Sequence, residues 1–154
     1  MAKVKIIYGT AGGNTEVVCE KVAEVLTSAG HGVELLKAKV MKPENIGDFD
    51  LLILASPTYG HGLLEDYIEK FLDEFEASEV SLKDKKCSII GLGDPKYDSD
   101  YHLEAIRVLN EFLKRQGASM LSIPLRVSGA PYALMDYVAR WAEKIGELLT
   151  TEEK

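Results

Sequence analysis

The chain has 154 residues, 46% hydrophobic and 28% charged, the composition of an ordinary globular domain with one sizeable core. Its 18 basic and 25 acidic residues leave a formal charge of −7, which repels phosphate backbones and anionic membranes and so disfavours nucleic-acid and membrane-surface roles. No apolar run approaches the roughly 20 residues that span a bilayer. Met1-Ala2-Lys3-Val4-Lys5 leads straight into a strand-like segment without a signal-peptide core. Cys19 and Cys87 lie far apart with no zinc or CxxC spacing and read as isolated buried thiols in a reducing compartment. The expectation is one cytoplasmic domain over residues 1–154.

Val4 to Tyr8 reads as a first strand, ended by Gly9. From Asn14 to Ala29 the pattern is helical, with Val18, Val22, Val25 and Leu26 on one face and Gly30 closing it. Val33–Leu36 is a second strand, and Pro43-Glu44 opens a short helical turn or loop. Asp50–Ala55 is a third strand, apolar almost throughout, as expected of a central parallel strand buried on both faces. The loop Ser56–Gly62 precedes a helix with Tyr67, Ile68, Phe71, Leu72 and Phe75 on one face. Cys87–Gly93 is a fourth strand, and the loop Asp94–Tyr101 leads to a helix carrying Leu103, Ile106, Leu109 and Leu113. Leu121–Val127 is a fifth strand, which tolerates Pro124 best at a sheet edge. The last helix runs from Ala133 to Leu149 with Trp141 and Ile145 one turn apart.

Five β/α alternations with short connections give an open, doubly wound parallel sheet with helices on both faces. Such sheets take ligands outside the carboxyl ends of their strands, where the strand order reverses. The loops after strands one, three and four are therefore the candidate site.

The first, Gly9-Thr10-Ala11-Gly12-Gly13-Asn14-Thr15-Glu16, joins a strand to a helix. Its glycines let backbone N–H groups turn inward, and Thr10 and Thr15 add hydroxyls. With the positive end of the helix, this makes a phosphate cradle without lysine or arginine. It is neither a P-loop nor a G-x-G-x-x-G fingerprint. The competing reading is a glycine-rich turn capped by Asn14 or Thr15. The second loop, Thr58-Tyr59-Gly60-His61-Gly62, sets an aromatic beside two glycines, so that a planar ligand can stack on Tyr59. The third, Gly91-Leu92-Gly93-Asp94-Pro95-Lys96-Tyr97, offers backbone N–H groups near Asp94 and a second aromatic, Tyr97. A Gly-x-Gly pair also occurs simply where a strand packs tightly against a helix. Jointly the three loops describe an aromatic clamp beside a phosphate pocket.

These residues resemble the flavodoxin family, specifically its short-chain type, over Val4 to Leu149. Thr10, Ala11, Gly12, Gly13, Asn14 and Thr15 match the family's FMN-phosphate loop. Ser56, Pro57, Thr58, Tyr59, Gly60 and His61 match its first flavin-flanking loop. Gly91, Leu92, Gly93, Asp94 and Tyr97 match the second, with Tyr97 at the stacking tyrosine. The fifth strand lacks the insertion that marks long-chain members. Ala11 and Gly12 stand where the family usually has further hydroxyls, and His61 stands where an acidic residue is frequent.

The resemblance implies a flavodoxin-like three-layer α/β sandwich, its five-stranded parallel sheet in the order 2-1-3-4-5. It also implies an FMN-dependent, low-potential one-electron carrier rather than an enzyme, shuttling between semiquinone and hydroquinone. In this picture Gly60, lacking a Cβ, turns its peptide carbonyl toward the flavin at little conformational cost. Asp94 and the net charge oppose the anionic reduced state, and an acidic residue in place of His61 would shift the second potential by tens of millivolts. Partners implied are redox proteins docking at the flavin edge, a reductase donor and an acceptor enzyme, with no nucleic acid, no membrane and a monomeric carrier. The carboxylates Glu65, Asp66, Asp98 and Asp100 beside the loops read either as a solvated acidic face or as a docking patch for basic partners. His31 and His102 read as ordinary exposed histidines. A small FMN-dependent quinone or flavin reductase and an accessory module with weak FMN binding are the alternatives. A receiver domain drops out, because Gly9-Thr10 and Ser56-Pro57 occupy the places of its acidic residues.

Overall fold

The computed structural model describes residues 1–10, 13–59, 63–93 and 104–152. Its sheet contains β1 (Lys3–Tyr8), β2 (Gly32–Lys37), β3 (Leu51–Tyr59), β4 (Leu63–Leu64), β5 (Lys86–Gly93), β6 (Ser119–Met120) and β7 (Leu125–Ser128). The parallel order is β2-β1-β3-β5-β6, with β7 also alongside β5 and β4 antiparallel to β3. Counting β6 and β7 as one edge position recovers the expected order 2-1-3-4-5.

The fifth strand is a correction to the sequence reading. It does not run unbroken over Leu121–Val127 but pairs at Lys86↔Ser119 and Cys87↔Met120, then resumes at Ile90↔Leu125. Pro124 sits in the gap, where its missing N–H forfeits no ladder bond. The gap is tied down instead by the Trp141 indole N–H, which donates to the Ile123 carbonyl at 2.9 Å.

Alternation along the strands divides the core between the two faces of the sheet. Ile6, Tyr8, Leu51, Ile53, Ile90 and Val127 pack with Val18, Val22 and Leu26 of α1 (Asn14–Ser28) and Val138, Trp141 and Ile145 of α4 (Met135–Glu152). Ile7, Leu52, Leu54, Cys87 and Ile89 face the other way. They meet Ile68, Phe71 and Phe75 of α2 (Asp66–Ala77) and Leu109, Phe112 and Leu113 of α3 (Glu104–Arg115). Phe75 and Phe112 meet edge to face with ring centroids 5.6 Å apart, locking the two helices together. Tyr67, expected on the buried face of α2, is 43% exposed and lies under the Lys39 ammonium.

His31 is a second correction, since only 4% of it is exposed. Its Nδ1 accepts the Ala2 N–H at 3.0 Å, which fixes the tautomer and leaves Nε2–H to donate to the Gly146 carbonyl at 3.3 Å. The imidazole thereby links the start of β1 to α4 from its own place just before β2. His102 lies outside the described residues. Among the described residues, no helix is long and apolar enough to cross a membrane.

Candidate functional site at the carboxyl ends of β1, β3 and β5

Beyond Tyr8 the chain stays beside β3 for one more residue, the Gly9 N–H donating to the Ala55 carbonyl at 3.1 Å. Thr10 Oγ1 then accepts the Gly13 N–H at 2.9 Å, which draws the first loop closed on itself. Gly13 has φ +86°, a conformation that costs a residue with a Cβ roughly 1–2 kcal/mol. It is Gly13, not Asn14 or Thr15, that occupies the cap position of α1, and no side chain caps that helix. Thr15 is 1% exposed, and its hydroxyl takes no hydrogen-bond partner among the described residues.

Glu16, in the first turn of α1, would oppose an anion at the helix start. Its carboxylate is held aside by the Tyr8 hydroxyl, which donates to Oε2 at 2.7 Å, and by the Lys37 ammonium 3.8 Å from the same oxygen. Burial first, and then the neighbouring Glu16, push the Tyr8 phenol well above its ordinary range, so it stays protonated and donating.

The second loop is mostly strand. β3 runs on through Ser56-Pro57-Thr58-Tyr59 and pairs with β4 at Thr58↔Leu64 and Tyr59↔Leu63, so residues 60–62 join the two arms of a hairpin. A loop beginning at Ser56 is thus corrected: Ser56 and Pro57 remain paired with Gly91 and Leu92 of β5. Both hydroxyls in this stretch serve helix starts. Ser56 Oγ accepts the Glu65 N–H at 3.2 Å and donates to the Pro57 carbonyl at 2.8 Å. Thr58 Oγ1 accepts the Ala105 N–H, at the start of α3, at 3.1 Å. Glu65, read from sequence as part of an acidic face, is only 3% exposed; its carboxylate caps α2 by accepting from the Tyr67 and Ile68 N–H groups. Asp66 beside it is exposed.

In the third loop Gly91 has a packing reason for lacking a side chain, because a Cβ there would lie 2.3 Å from Ile106 Cγ1. The strand-against-helix reading of that glycine therefore holds. Leu92 is buried, and the Gly93 carbonyl accepts the Gly129 N–H at 2.9 Å. Ala11, Gly12, Gly60, His61, Asp94 and Tyr97 lie outside the described residues, as do Asp98 and Asp100.

The arrangement around α1 suits a phosphate. An uncapped helix start offers backbone N–H groups and a positive dipole end. Beside it lies a buried hydroxyl without a partner among the described residues, with no positively charged residue within the loop. Among the described residues no group of three His, Cys, Asp or Glu could hold a metal ion. The thiols are free and buried, as expected. Cys19 is fully buried with its pKa raised well above the ordinary range, and burial pushes Cys87 up to about 12. A groove of about 750 Å³ between α1 and α4, lined by Glu24, Ala29, Glu143 and Gly146, lies at the far end of α1 from this site.

A family model described as Flavodoxin matches residues 6–141. The chain belongs to the flavodoxin family. It is 31% identical over 147 residues to a flavodoxin of Nitratidesulfovibrio vulgaris Miyazaki F, covering 94% of this chain and 97% of that one. It is 30% identical over 149 residues to a flavodoxin of Maridesulfovibrio salexigens, covering 96% and 99%. The crystal structure of oxidised flavodoxin 2 from Bacillus cereus superposes with a TM-score of 0.82 at 27% identity, covering 98% and 99% of the two chains. Length and coverage agree with a short-chain flavodoxin. Family and fold together support an FMN-binding electron carrier.

Sequence reasoning missed the tasks of Ser56, Thr58, Glu65 and His31. Glu65 carries a weak signal, standing one residue before a helix, but glutamate is not among the usual caps. His31 carries none, since its two partners are remote in sequence.

Proposed function

We propose that the protein is a low-potential, one-electron carrier that holds FMN at the carboxyl ends of β1, β3 and β5. The observation that carries this reading is the uncapped, left-handed entry to α1 beside the buried Thr15 hydroxyl, which has no partner among the described residues. Thr10, Gly13, Asn14 and Thr15, with Ala11 and Gly12, hold the phosphate by backbone N–H groups and hydroxyls. Thr10 also shapes the loop through its bond from Gly13. Tyr59, Gly60 and His61 flank one side of the ring system, and Gly93, Asp94 and Tyr97 the other. Ser56 and Thr58 serve from behind, keeping α2 and α3 in place with hydroxyls already taken up.

Bound FMN supplies the redox chemistry, working between its semiquinone and hydroquinone levels. The protein contributes a surrounding of net charge −7, which disfavours adding a further negative charge and so keeps the second potential low. Redox proteins dock at the exposed flavin edge, one donating and one accepting, while the carrier acts as a cytoplasmic monomer in a single domain. No described group is placed as a nucleophile, and no metal is needed.

The test is an absorption spectrum of the purified protein reconstituted with FMN and titrated anaerobically with dithionite. A yellow form passing through a long-lived blue one-electron species is expected. Reduction in a single two-electron step, together with NAD(P)H oxidation by the protein alone, would replace the carrier by a flavin or quinone reductase. Failure to retain FMN would leave an accessory module.

A further inference from the structure

Glu65 stands out as a helix cap. Caps are ordinarily short: Asn, Asp, Ser and Thr reach the first N–H groups of a helix with one side-chain atom to spare. Here the cap of α2 is a glutamate, 3% exposed, whose Oε1 accepts the Tyr67 N–H at 2.8 Å and the Ile68 N–H at 2.9 Å. Among the described residues, its Oε2 receives only a second, 3.1 Å approach from Tyr67. A buried carboxylate whose partners among the described residues are backbone N–H groups is a poor choice for stability, because a neutral cap such as serine or asparagine would bury no charge.

The extra length has a structural consequence. The carboxylate folds back across the sheet ends and lies against Gly9, where the first loop begins. A Cβ added at Gly9 would meet Glu65 Oε1 at 2.2 Å, Cδ at 2.8 Å and the Glu65 Cβ at 3.1 Å. Gly9 has no unusual φ, so what its missing side chain makes room for is the Glu65 carboxylate in this position. From the other side, the Glu65 N–H is anchored on Ser56 Oγ, and the residue directly follows β4, the return arm of the hairpin. One residue therefore touches the start of the phosphate-side loop and the start of α2 with its side chain, and the root of the ring-side hairpin with its backbone N–H.

We infer that Glu65 is a positioning residue: by packing its carboxylate against Gly9 while capping α2, it holds the phosphate loop and the ring-side hairpin at a fixed separation, so that both parts of the cofactor are gripped together. This rests on the FMN reading above. Glu65 touches no cofactor atom in this account; it acts through Gly9 and through β4.

The experiment measures affinities of the apoprotein for FMN and for riboflavin, which lacks the phosphate, by quenching of flavin fluorescence, alongside urea stability. Glu65→Asp keeps a cap but withdraws from Gly9. It is expected to retain stability near wild type and to lose about tenfold in affinity for both ligands, the scale of one lost structural contact. Gly9→Ala alone forces the carboxylate off its position and weakens both ligands in the same way. In the double variant the alanine methyl fills the space the shorter acid leaves, so affinity recovers well beyond the sum of the two single effects. Glu65→Gln, isosteric and still able to accept both N–H groups at one oxygen, stays within about threefold of wild type, because shape and capping are conserved.

Glu65→Asp binding both ligands as wild type does, or strictly additive effects in the double variant, would overturn the inference. A loss of stability without loss of affinity would reduce Glu65 to a structural cap. Wild-type protein that binds neither ligand would instead overturn the FMN reading itself.

Discussion

Thr15→Val separates what the phosphate loop does in the apoprotein from what it does with FMN, because the two effects have opposite signs. Valine matches threonine in shape, so the change removes one hydroxyl from a residue that is 1% exposed and leaves no cavity. In the apoprotein that hydroxyl is buried without a partner among the described residues. Burial of an unpaired hydroxyl costs about 1–3 kcal/mol by mutational measure, so its removal should stabilise the apoprotein by up to that amount. At this length each kcal/mol corresponds to a rise in Tm of about 2–4 °C. In the proposed FMN complex the same hydroxyl would donate to a charged phosphate, a hydrogen bond worth about 1.5–3 kcal/mol. Its loss therefore weakens FMN by roughly 10- to 150-fold. Riboflavin affinity should not change. Urea unfolding of the apoprotein followed by Trp141 fluorescence, and flavin titrations with both ligands, read the two halves separately. A destabilised apoprotein would refute the orphaned hydroxyl. An unchanged FMN affinity would refute its place in the phosphate cradle, and an equal loss for riboflavin would move the effect away from the phosphate.

The remaining expectations concern the scaffold. His31→Leu leaves the buried Ala2 N–H and the Gly146 carbonyl without their partner. It should cost about 1–3 kcal/mol in urea unfolding while FMN affinity is unaltered; unchanged stability would show the imidazole to be dispensable. Asp84→Gly removes a side chain from an exposed residue held at φ +62° and should raise stability by about 1 kcal/mol, seen as a higher Tm; a lower Tm would mean that the carboxylate holds the turn. The buried thiols set an alkaline limit. Folded Cys87 keeps its proton up to about 12 and Cys19 is raised as well, whereas an unfolded thiol loses its proton near 8.5. The folded state then binds more protons than the unfolded one, so stability is full below about pH 8.5. Above that it falls by about 1.4 kcal/mol per pH unit for each thiol. A Cys19→Ala/Cys87→Ala double variant should flatten that decline in urea midpoints measured between about pH 8.5 and 11, and an unchanged slope would assign the alkaline loss to other groups.

Much of this architecture is legible without any structure. Helices α1 to α4 and strands β1, β2, β3 and β5 follow from apolar periods of 3.6 and 2, which every residue reports locally. Val18, Val22 and Leu26 repeat on one side of α1 and are buried there, because a helix facing a sheet has one apolar stripe to hide. The candidate site is placed by the same route, since β/α alternation dictates a parallel sheet and a parallel sheet gathers its loops at the carboxyl ends. The first loop reads as a candidate phosphate cradle from its glycines and threonines, and its cap proved to be Gly13.

The tertiary structure decided which polar side chains near the candidate site also serve the scaffold. Ser56 and Thr58 look alike in sequence to Thr10 and Thr15. Only the neighbouring starts of α2 and α3 show that the first two hydroxyls are already engaged. Glu65 and His31 read as surface groups because charge and polarity are local properties, whereas burial depends on what is packed against them. Gly9 is 56 residues from Glu65 and Ala2 is 29 from His31, distances at which no periodic pattern carries information. The split of the edge strand has the same origin. Pro124 marks a weak point in the sequence, but the Trp141 indole of α4, reaching the Ile123 carbonyl, is what gives the interruption its place. Sequence period fixes elements because it acts within one element; polar satisfaction is settled only between elements, once the sheet has brought their ends together.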